Sequence, residues 1–519
     1  MIAGKIYSTY HKAMSNKFYT ILNLVTGLFT VIVQFATSFF LSPFIVKALG
    51  AEANGYTQLA ANFVMYASLL TTAFNSMASR FVSVAYHQGN IDKARGYYSS
   101  VYVANIGLIA LLLPISIVVA LRLEHVIVID NVDVLDVKLL FGCIFANFFV
   151  GLISSLYSIS MYVKNAIYYS NILNCIRTIC NAVLLFAVFS LLPVKIFYVS
   201  FVALTLSIFL IPAYVYYQNR LLPDIHFDKK DFSWRAVKDM LSSGVWNSVN
   251  QCGHLLQTGF DLLLANLFVS PFAMGLVAVS KTIPSAIIQL ATTINNNFSP
   301  SITQSWAKGD MGSIMKELRV AIRISIVIVS VPIVTFCCLG VQFYRLWQPT
   351  LDPYVLTLLS VLGCMTFIVV AGTQILYNVF TASNHLKVNS LTFVAMGVVN
   401  IIIVYCGLKF YPQYNMYIIV GTSSVLAILR QLCVVLPYVS RLLGVSCTTF
   451  YKETFLTLIC CAVNTIIALA ILKVCTISGW LSFIIDVVLV GVLAALSECF
   501  LLLNAEERKR IKQLISRRK

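Results

Sequence analysis

Residues 246–267 read WNSVNQCGHLLQTGFDLLLANL, and the fold turns on how this stretch is read. Its length suits a helix that crosses a bilayer, yet Asn250, His254, Gln257 and Asp261 are side chains that hydrocarbon rejects. With Trp246 they recur at spacings of 4, 4, 3 and 4, which places them on one face of an α-helix. Leu255, Leu256, Phe260, Leu262 and Leu263 fall on the other face, where lipid or neighbouring helices are acceptable. Hydrogen bonding between packed helices is one account of such a stripe. Five polar positions over four turns exceed what that account needs, so the spacing predicts one wall of a water-filled cavity.

The rest of the chain agrees that this is a membrane span. It has 519 residues, of which 59% are hydrophobic and 11% charged, far from the roughly 25% charged residues of a soluble domain. Apolar runs of the length a bilayer demands give about fourteen spans. The net charge of +17 raises the question of nucleic acid, but the positions of the charges answer it. With the N-terminus in the cytoplasm, the outer loops hold only Lys47, Arg122, Lys138, Lys195, Arg345, Lys409 and Lys473 of the Lys and Arg residues. The inner loops and the C-terminal tail hold most of the rest. This bias predicts a multi-pass protein of the cytoplasmic membrane with both termini inside, and no nucleic-acid partner. The run after Lys5, Lys12 and Lys17 has no small-residue cleavage site and reads as a retained first span. Cysteines such as Cys337, Cys338, Cys460 and Cys461 lie in apolar runs without C-x-x-C spacing, which argues against a metal or disulfide framework.

One charged connection, QNRLLPDIHFDKKDFSWRAVKD at 218–239, separates six spans from the next six. A shift of 220 residues brings Gly55 onto Gly275, Asn75 onto Asn295, Gly89 onto Gly309 and Tyr157 onto Tyr377 without a gap. The turns HQGNIDKA (87–94) and AKGDMGSI (307–314) also match, each with Gly before an Asn or Asp that suits a helix cap. The expected architecture is an all-α polytopic membrane protein with two six-helix lobes in a parallel repeat. The lobes are residues 1–217 and 240–439, joined by the linker 218–239. Residues 440–519 add two C-terminal spans and a basic tail.

Spans 1, 2, 7 and 8 carry the polar faces. The eighth offers Lys281, Ser285, Gln289, Thr292 and Asn296 at the spacing of the seventh, and the second offers Gln58, Asn62, Thr72 and Asn75. The 220-residue shift carries Asn250, His254 and Gln257 onto Thr30, Gln34 and Thr37 of the first span. Arg177, Lys281, Asn250, His254, Gln257, Gln34, Thr30, Asn62, Asn75 and Gln289 are therefore the expected cavity residues. Asp261 and Lys281 both fall in the outer half of the membrane, where they could pair, either as a structural pair or as a site coupled to an ion gradient. Arg177, roughly 14 Å into the fifth span by helical rise, has Asn174 and Asn181 on its face. Its guanidinium suits a phosphate, or else snorkels to headgroups. Arg80 reads as interfacial, as do Asp486 and Glu498 near the ends of the last span. The tail AEERKRIKQLISRRK is either a segment that lies on anionic lipid or a topology anchor.

No G-x-x-x-x-G-K-[ST] loop, paired-carboxylate pocket or Ser/His/Asp set is present. The expectation is no enzyme activity, no cofactor and no metal. Energy would come from a Na+ or H+ gradient, from the substrate's own gradient or from another chain.

The stretch ALGAEANGYTQLAANFVMYASLLTTAFNSMASRFVSVAYHQGNIDKARGYY (48–98), with six plus six spans and two more, resembles the polysaccharide transporter branch of the multidrug/oligosaccharidyl-lipid/polysaccharide exporter superfamily. Within it the chain looks like the Wzx-type flippases of O-antigen and capsule repeat units. The resemblance implies two lobes around a cavity lined by spans 1, 2, 7 and 8, with alternating access. It implies transfer of an undecaprenyl-diphosphate-linked oligosaccharide across a bacterial inner membrane for surface polysaccharide and lipopolysaccharide synthesis. Implied partners are that substrate, membrane lipid, a polysaccharide polymerase and a chain-length regulator, with a monomer as the transport unit. Lipid II flippases carry several buried Arg in the first lobe, whereas spans 1 to 4 here have no Arg in mid-membrane; multidrug antiporters carry acidic residues in the first lobe, whereas spans 1 to 6 here have no Asp or Glu in mid-membrane. An ion-coupled drug or metabolite antiporter, and a non-transporting scaffold of a polysaccharide assembly complex, remain the alternatives.

Overall fold

The computed structural model describes residues 2–502 apart from 384, 475, 476 and 478, with side chains from residue 22 onward except 24, 297, 300 and 307. The basic tail lies outside the described residues. Eighteen α-helices follow one another: α1 Ile2–Leu49, α2 Ala51–His87, α3 Ile91–Leu121, α4 Val134–Val163, α5 Tyr168–Leu191, α6 Phe197–Leu221, α7 Trp234–His254, α8 Asp261–Phe268, α9 Pro271–Ser280, α10 Thr282–Ala307, α11 Met311–Trp347, α12 Pro353–Val370, α13 Tyr377–Ala382, α14 Leu386–Phe410, α15 Asn415–Arg430, α16 Leu436–Leu442, α17 Thr448–Val474 and α18 Trp480–Leu502. No strand occurs among the described residues.

Twelve helices there are long and apolar enough to cross a membrane. The long segments missing from that set are α2 and the run α7–α8, which correspond to the second and seventh predicted spans. They fall short on composition because they carry polar stripes. The protein is thus a multi-pass membrane protein whose least apolar spans are the ones that hold most of the polar positions.

Helix ends follow from local chemistry. Gly89 and Gly309 take positive φ of 78° and 70°, a conformation that costs other residues about 1–2 kcal/mol. The following residue caps the next helix in both cases. Asn90 Oδ1 accepts from Lys93 N (3.0 Å) and Asp310 Oδ1 from Ser313 N (2.9 Å). These four residues correspond under the 220-residue shift. The buried carboxylate of Asp136 accepts from the backbone of Ile196 and Phe197, both at 2.8 Å, and so closes the start of α6. Asp352 caps α12 through Tyr354 N (2.8 Å), with Pro353 at the first helical position.

The contacts divide the chain into two compact units, Met1–Leu255 with Ser270–Gly275, and Leu256–Val269 with Leu276–Lys519. The first division falls at Leu255, inside the segment that the sequence reading gave wholly to the second lobe. In the first unit α4 packs on α6, α1 on α5, and α2 on α3 and α7; Val82, Tyr98, Val101, Leu156 and Met240 meet in its core. Glycine makes two approaches there possible. A Cβ on Gly244 of α7 would lie 1.9 Å from the Ala73 carbonyl oxygen, and one on Gly275 would lie 2.4 Å from that of Ala51. Gly275 also meets its repeat equivalent Gly55, whose added Cβ would stand 3.0 Å from Gly275 N. In the second unit α11 is central, packed by α10, α12, α17 and α18, with Leu318, Ile322, Leu376, Leu436 and Phe450 buried around it.

Candidate functional site

In the first unit, Arg177 of α5 opens onto a cavity of about 200 Å³. Helix α4 lines one side with Asn147, Gly151, Ser154, Ser155 and Ser158, positions that recur on a single helical face. Helix α5 adds Ser170 and Asn174, and α6 adds Ser207, Leu210 and Tyr214. Gly151 faces open space, and a Cβ there would meet nothing within 4 Å. Arg177 is half-buried and donates from Nη1 to Ser207 Oγ at 3.3 Å. The serine protons are engaged elsewhere, Ser207 on the Ala203 carbonyl (2.9 Å), Ser155 on Leu152 (2.7 Å) and Ser158 on Ser155 (2.7 Å). Their oxygens therefore remain as acceptors around the guanidinium. Among the described residues no carboxylate lines the cavity, and none lies within ion-pair distance of Arg177. The result is one uncompensated cation in a hydroxyl- and amide-rich hollow.

The other predicted residues of this unit are in varied settings. Thr30 is buried; its hydroxyl donates to Thr26 O (2.8 Å) and Asn171 O (3.0 Å), tying α1 to α5. Asn171 answers with bonds to Asn23 O (3.2 Å) and Thr26 Oγ1 (3.1 Å). Asn75 accepts from Asn105 at 3.2 Å. Asn62 and Asn250 are half-buried, and Gln34 and His254 are exposed.

The second unit holds Gln257, Asp261, Lys281 and Gln289. The stripe 246–267 is not one ideal helix, because Leu255–Gly259 form a π-helical turn between α7 and α8. Such a turn changes the helical register, and Gln257 and Asp261 are buried where Asn250 is half-buried and His254 exposed. Gln257 is buried and donates to Ser423 O of α15 (3.1 Å). Asn400 of α14 donates to Gln257 O (2.9 Å) and Leu256 O (3.4 Å), carbonyls of the π turn. Asp261, 2% exposed, accepts from Lys281 Nζ at 2.7 Å, and the same ammonium bonds Thr258 O at 3.0 Å. Lys281 thus binds both the carboxylate and a carbonyl of the turn. Gln289 is exposed and takes no part in this arrangement.

Sequence reasoning missed one buried charged group and misjudged two others. Arg430, which the sequence reading did not single out, is 4% exposed in α15. Its guanidinium lies 4.5 Å from the Phe393 ring centre and 5.6 Å from that of Tyr377. It donates to Tyr377 Oη (3.1 Å) and to Asn389. Asp486 and Glu498, expected at interfaces, are 3% and 0% exposed. The available signal was the four-residue spacing Asp486, Val490, Ala494, Glu498, which sets both carboxyls on the inward face of α18 with small and apolar neighbours.

The fold is similar to those of several solved transporters, among them ones of the MOP superfamily. The chain superposes on the lipid II flippase MurJ in an inward closed conformation with TM-score 0.67, over 92% of this chain and 98% of that one, at 12% identity. It superposes on an inward-facing multidrug resistance MATE transporter with TM-score 0.66, over 80% and 98%, at 12% identity. A Pyrococcus furiosus MOP transporter, described by the reversed polarity of its binding pocket, gives TM-score 0.57 over 81% and 95%, at 13% identity. In sequence, the chain is 27% identical to the membrane protein EpsK of Bacillus subtilis (strain 168) over 491 residues, 94% of this chain and 96% of the relative. No family model matches the chain.

Proposed function

We propose that this protein is a flippase of the Wzx type, moving an undecaprenyl-diphosphate-linked oligosaccharide from the inner to the outer leaflet of the cytoplasmic membrane by alternating access. The observation that carries this reading is the Arg177 cavity. A guanidinium without a counter-carboxylate attracts phosphate through its planar fork, and the surrounding serines and asparagines match a hydroxyl-rich cargo. A site for cationic drugs would need the opposite polarity. The likeness to MurJ supports a cargo built on a lipid carrier; in this reading the diphosphate and sugars pass through the protein while the lipid tail stays in the bilayer.

The test is the transport of a lipid-linked repeat unit in reconstituted vesicles, together with surface polysaccharide in cells. Arg177→Ala is expected to weaken the cargo's phosphate binding roughly 10- to 100-fold, the worth of a charged hydrogen bond. Gly151→Phe is expected to block transport by filling the cavity while Arg177 stays intact. Deletion should leave lipid-linked units facing the cytoplasm. Normal surface polysaccharide in both variants would sink the reading and favour the antiporter or the scaffold.

A further inference from the structure

The second unit contains a carboxyl group that the flippase reading leaves unused. Glu498 of α18 is fully buried. Its Oε1 accepts from the Ser330 hydroxyl of α11 and from Asn464 Nδ2 of α17 at 2.6 Å. Asn464 Oδ1 in turn accepts from Ser497 at 3.4 Å. Both donors to the carboxyl group converge on one of its oxygens. Oε2 is buried and has no hydrogen-bond partner among the described residues. Ser330 and Asn464 lie close to the midpoints of Met311–Trp347 and Thr448–Val474, so the carboxyl is level with the middle of two spans and far from the edge at which the sequence seemed to put it.

Among the described residues, the groups around it supply no positive charge. Helix α11 presents Cys337, α17 presents Cys460 and Cys461, α12 contributes Cys364 beside Cys337, and α18 itself carries Asp486 three turns earlier. Among the described residues no Lys, Arg or His comes within ion-pair distance of Glu498. This contrasts with Asp261, whose charge Lys281 meets directly. An intramembrane carboxyl without a partner cation points to function, and a single proton on Oε2 removes the charge that the site does not balance.

We propose that Glu498 is a proton-binding site at the junction of α11, α17 and α18, and that its proton governs how α17 and α18 dock on α11. The proton comes from water and returns to it, and the Oε2–H bond alone is made or broken. With the proton bound, Oε1 serves as a carbonyl acceptor for Ser330 and Asn464 and the three helices close. Without it, an ionised group stands between them and the contact loosens. The site is independent of what the protein carries.

Infrared difference spectroscopy of the full-length protein in membranes tests this. The wild type should show a carboxylic-acid carbonyl band that shifts in heavy water and loses intensity reversibly as pH rises, while the amide signal stays helical. Glu498→Gln, which keeps the shape and the acceptor, should lose that band; Asp486→Asn should keep it. In the wild type the amide protection of α17 and α18 should fall in step with the band, and in E498Q it should hold across the same range. Should E498Q not accumulate, Asn464→Leu serves instead, because loss of its hydrogen bond moves the carbonyl frequency of the same band. The proposal is overturned by a band of constant intensity, by a band indifferent to both substitutions, or by protection that ignores the titration. Arg177→Ala should leave all three signals unchanged, so this site and the flippase reading stand or fall separately.

Discussion

Lys281 is held by two oxygens from one short stretch, Asp261 and the Thr258 carbonyl, and its removal should show how such a charge is kept in a span. Lys281→Ala leaves Asp261 buried and alone, which is expected to cost about 3–5 kcal/mol. Replacing both together, Lys281→Met with Asp261→Leu, should cost far less, since no bare charge remains. Thermal unfolding of the purified variants distinguishes them; equal losses would mean that the pair itself stabilises the fold. The closeness of these two residues was legible in the sequence, because depth along a helix follows from counting residues. The burial of Arg430 was not. Its holders Tyr377, Asn389 and Phe393 come from α13 and α14, and no count along α15 reveals them. Nor does span counting show that Glu498 meets the middles of α11 and α17.

At the level of elements, the turn before α11 gives a pH-dependent prediction. The Ser313 hydroxyl (2.6 Å) and then its amide hold the Asp310 carboxyl below the usual carboxylate range. A group lowered in this way stabilises the fold above its unfolded value, and the contribution is lost as pH falls through the folded value. Protection of the Ser313 amide, its exchange rate relative to an unstructured peptide at the same pH, should therefore be high at neutral pH and fall in acid, whereas Asp310→Asn, a cap without a titrating charge, should show no such change. Two glycines separate backbone strain from crowding. Gly309→Ala meets open space and suffers only its positive φ, about 1–2 kcal/mol. Gly244→Ala drives a methyl into the Ala73 carbonyl; overpacking of this kind costs about 1–3 kcal/mol or more, and the α2–α7 contact should loosen. Unfolding midpoints of the two variants check the order. The capped turns were readable from Gly followed by Asn or Asp. The π turn at Leu255–Gly259 was not, because the spacing of polar residues assumes an unbroken helical register. Its extra residue is stabilised from α14 by Asn400, which local sequence cannot announce.

For the whole molecule, the 220-residue repeat makes a prediction about sidedness. The turns at Gly89 and Gly309 are equivalent in a parallel repeat and must face the same compartment. Single cysteines at Gln88 and Lys308, in a background without the exposed native ones, should both react with a membrane-impermeant maleimide from the cytoplasmic side and resist it from the other. Opposite reactivity would refute the parallel arrangement. The repeat was visible because its marks are glycines and caps, which backbone geometry fixes. The residues of its polar stripes have diverged into different tasks, Thr30 binding α5 and Gln257 binding α15. The Asp261–Lys281 bond also has a meaning for how the chain is made. The two residues are 20 apart, so they leave the ribosome within moments of each other, on either side of the short link at Val269 and Ser270. Alone, each would resist entry into lipid by roughly 3 kcal/mol. Arriving as a hairpin already joined at its charges, they can leave the translocon together, and a tag inserted into that link should strand the nascent chain at this step.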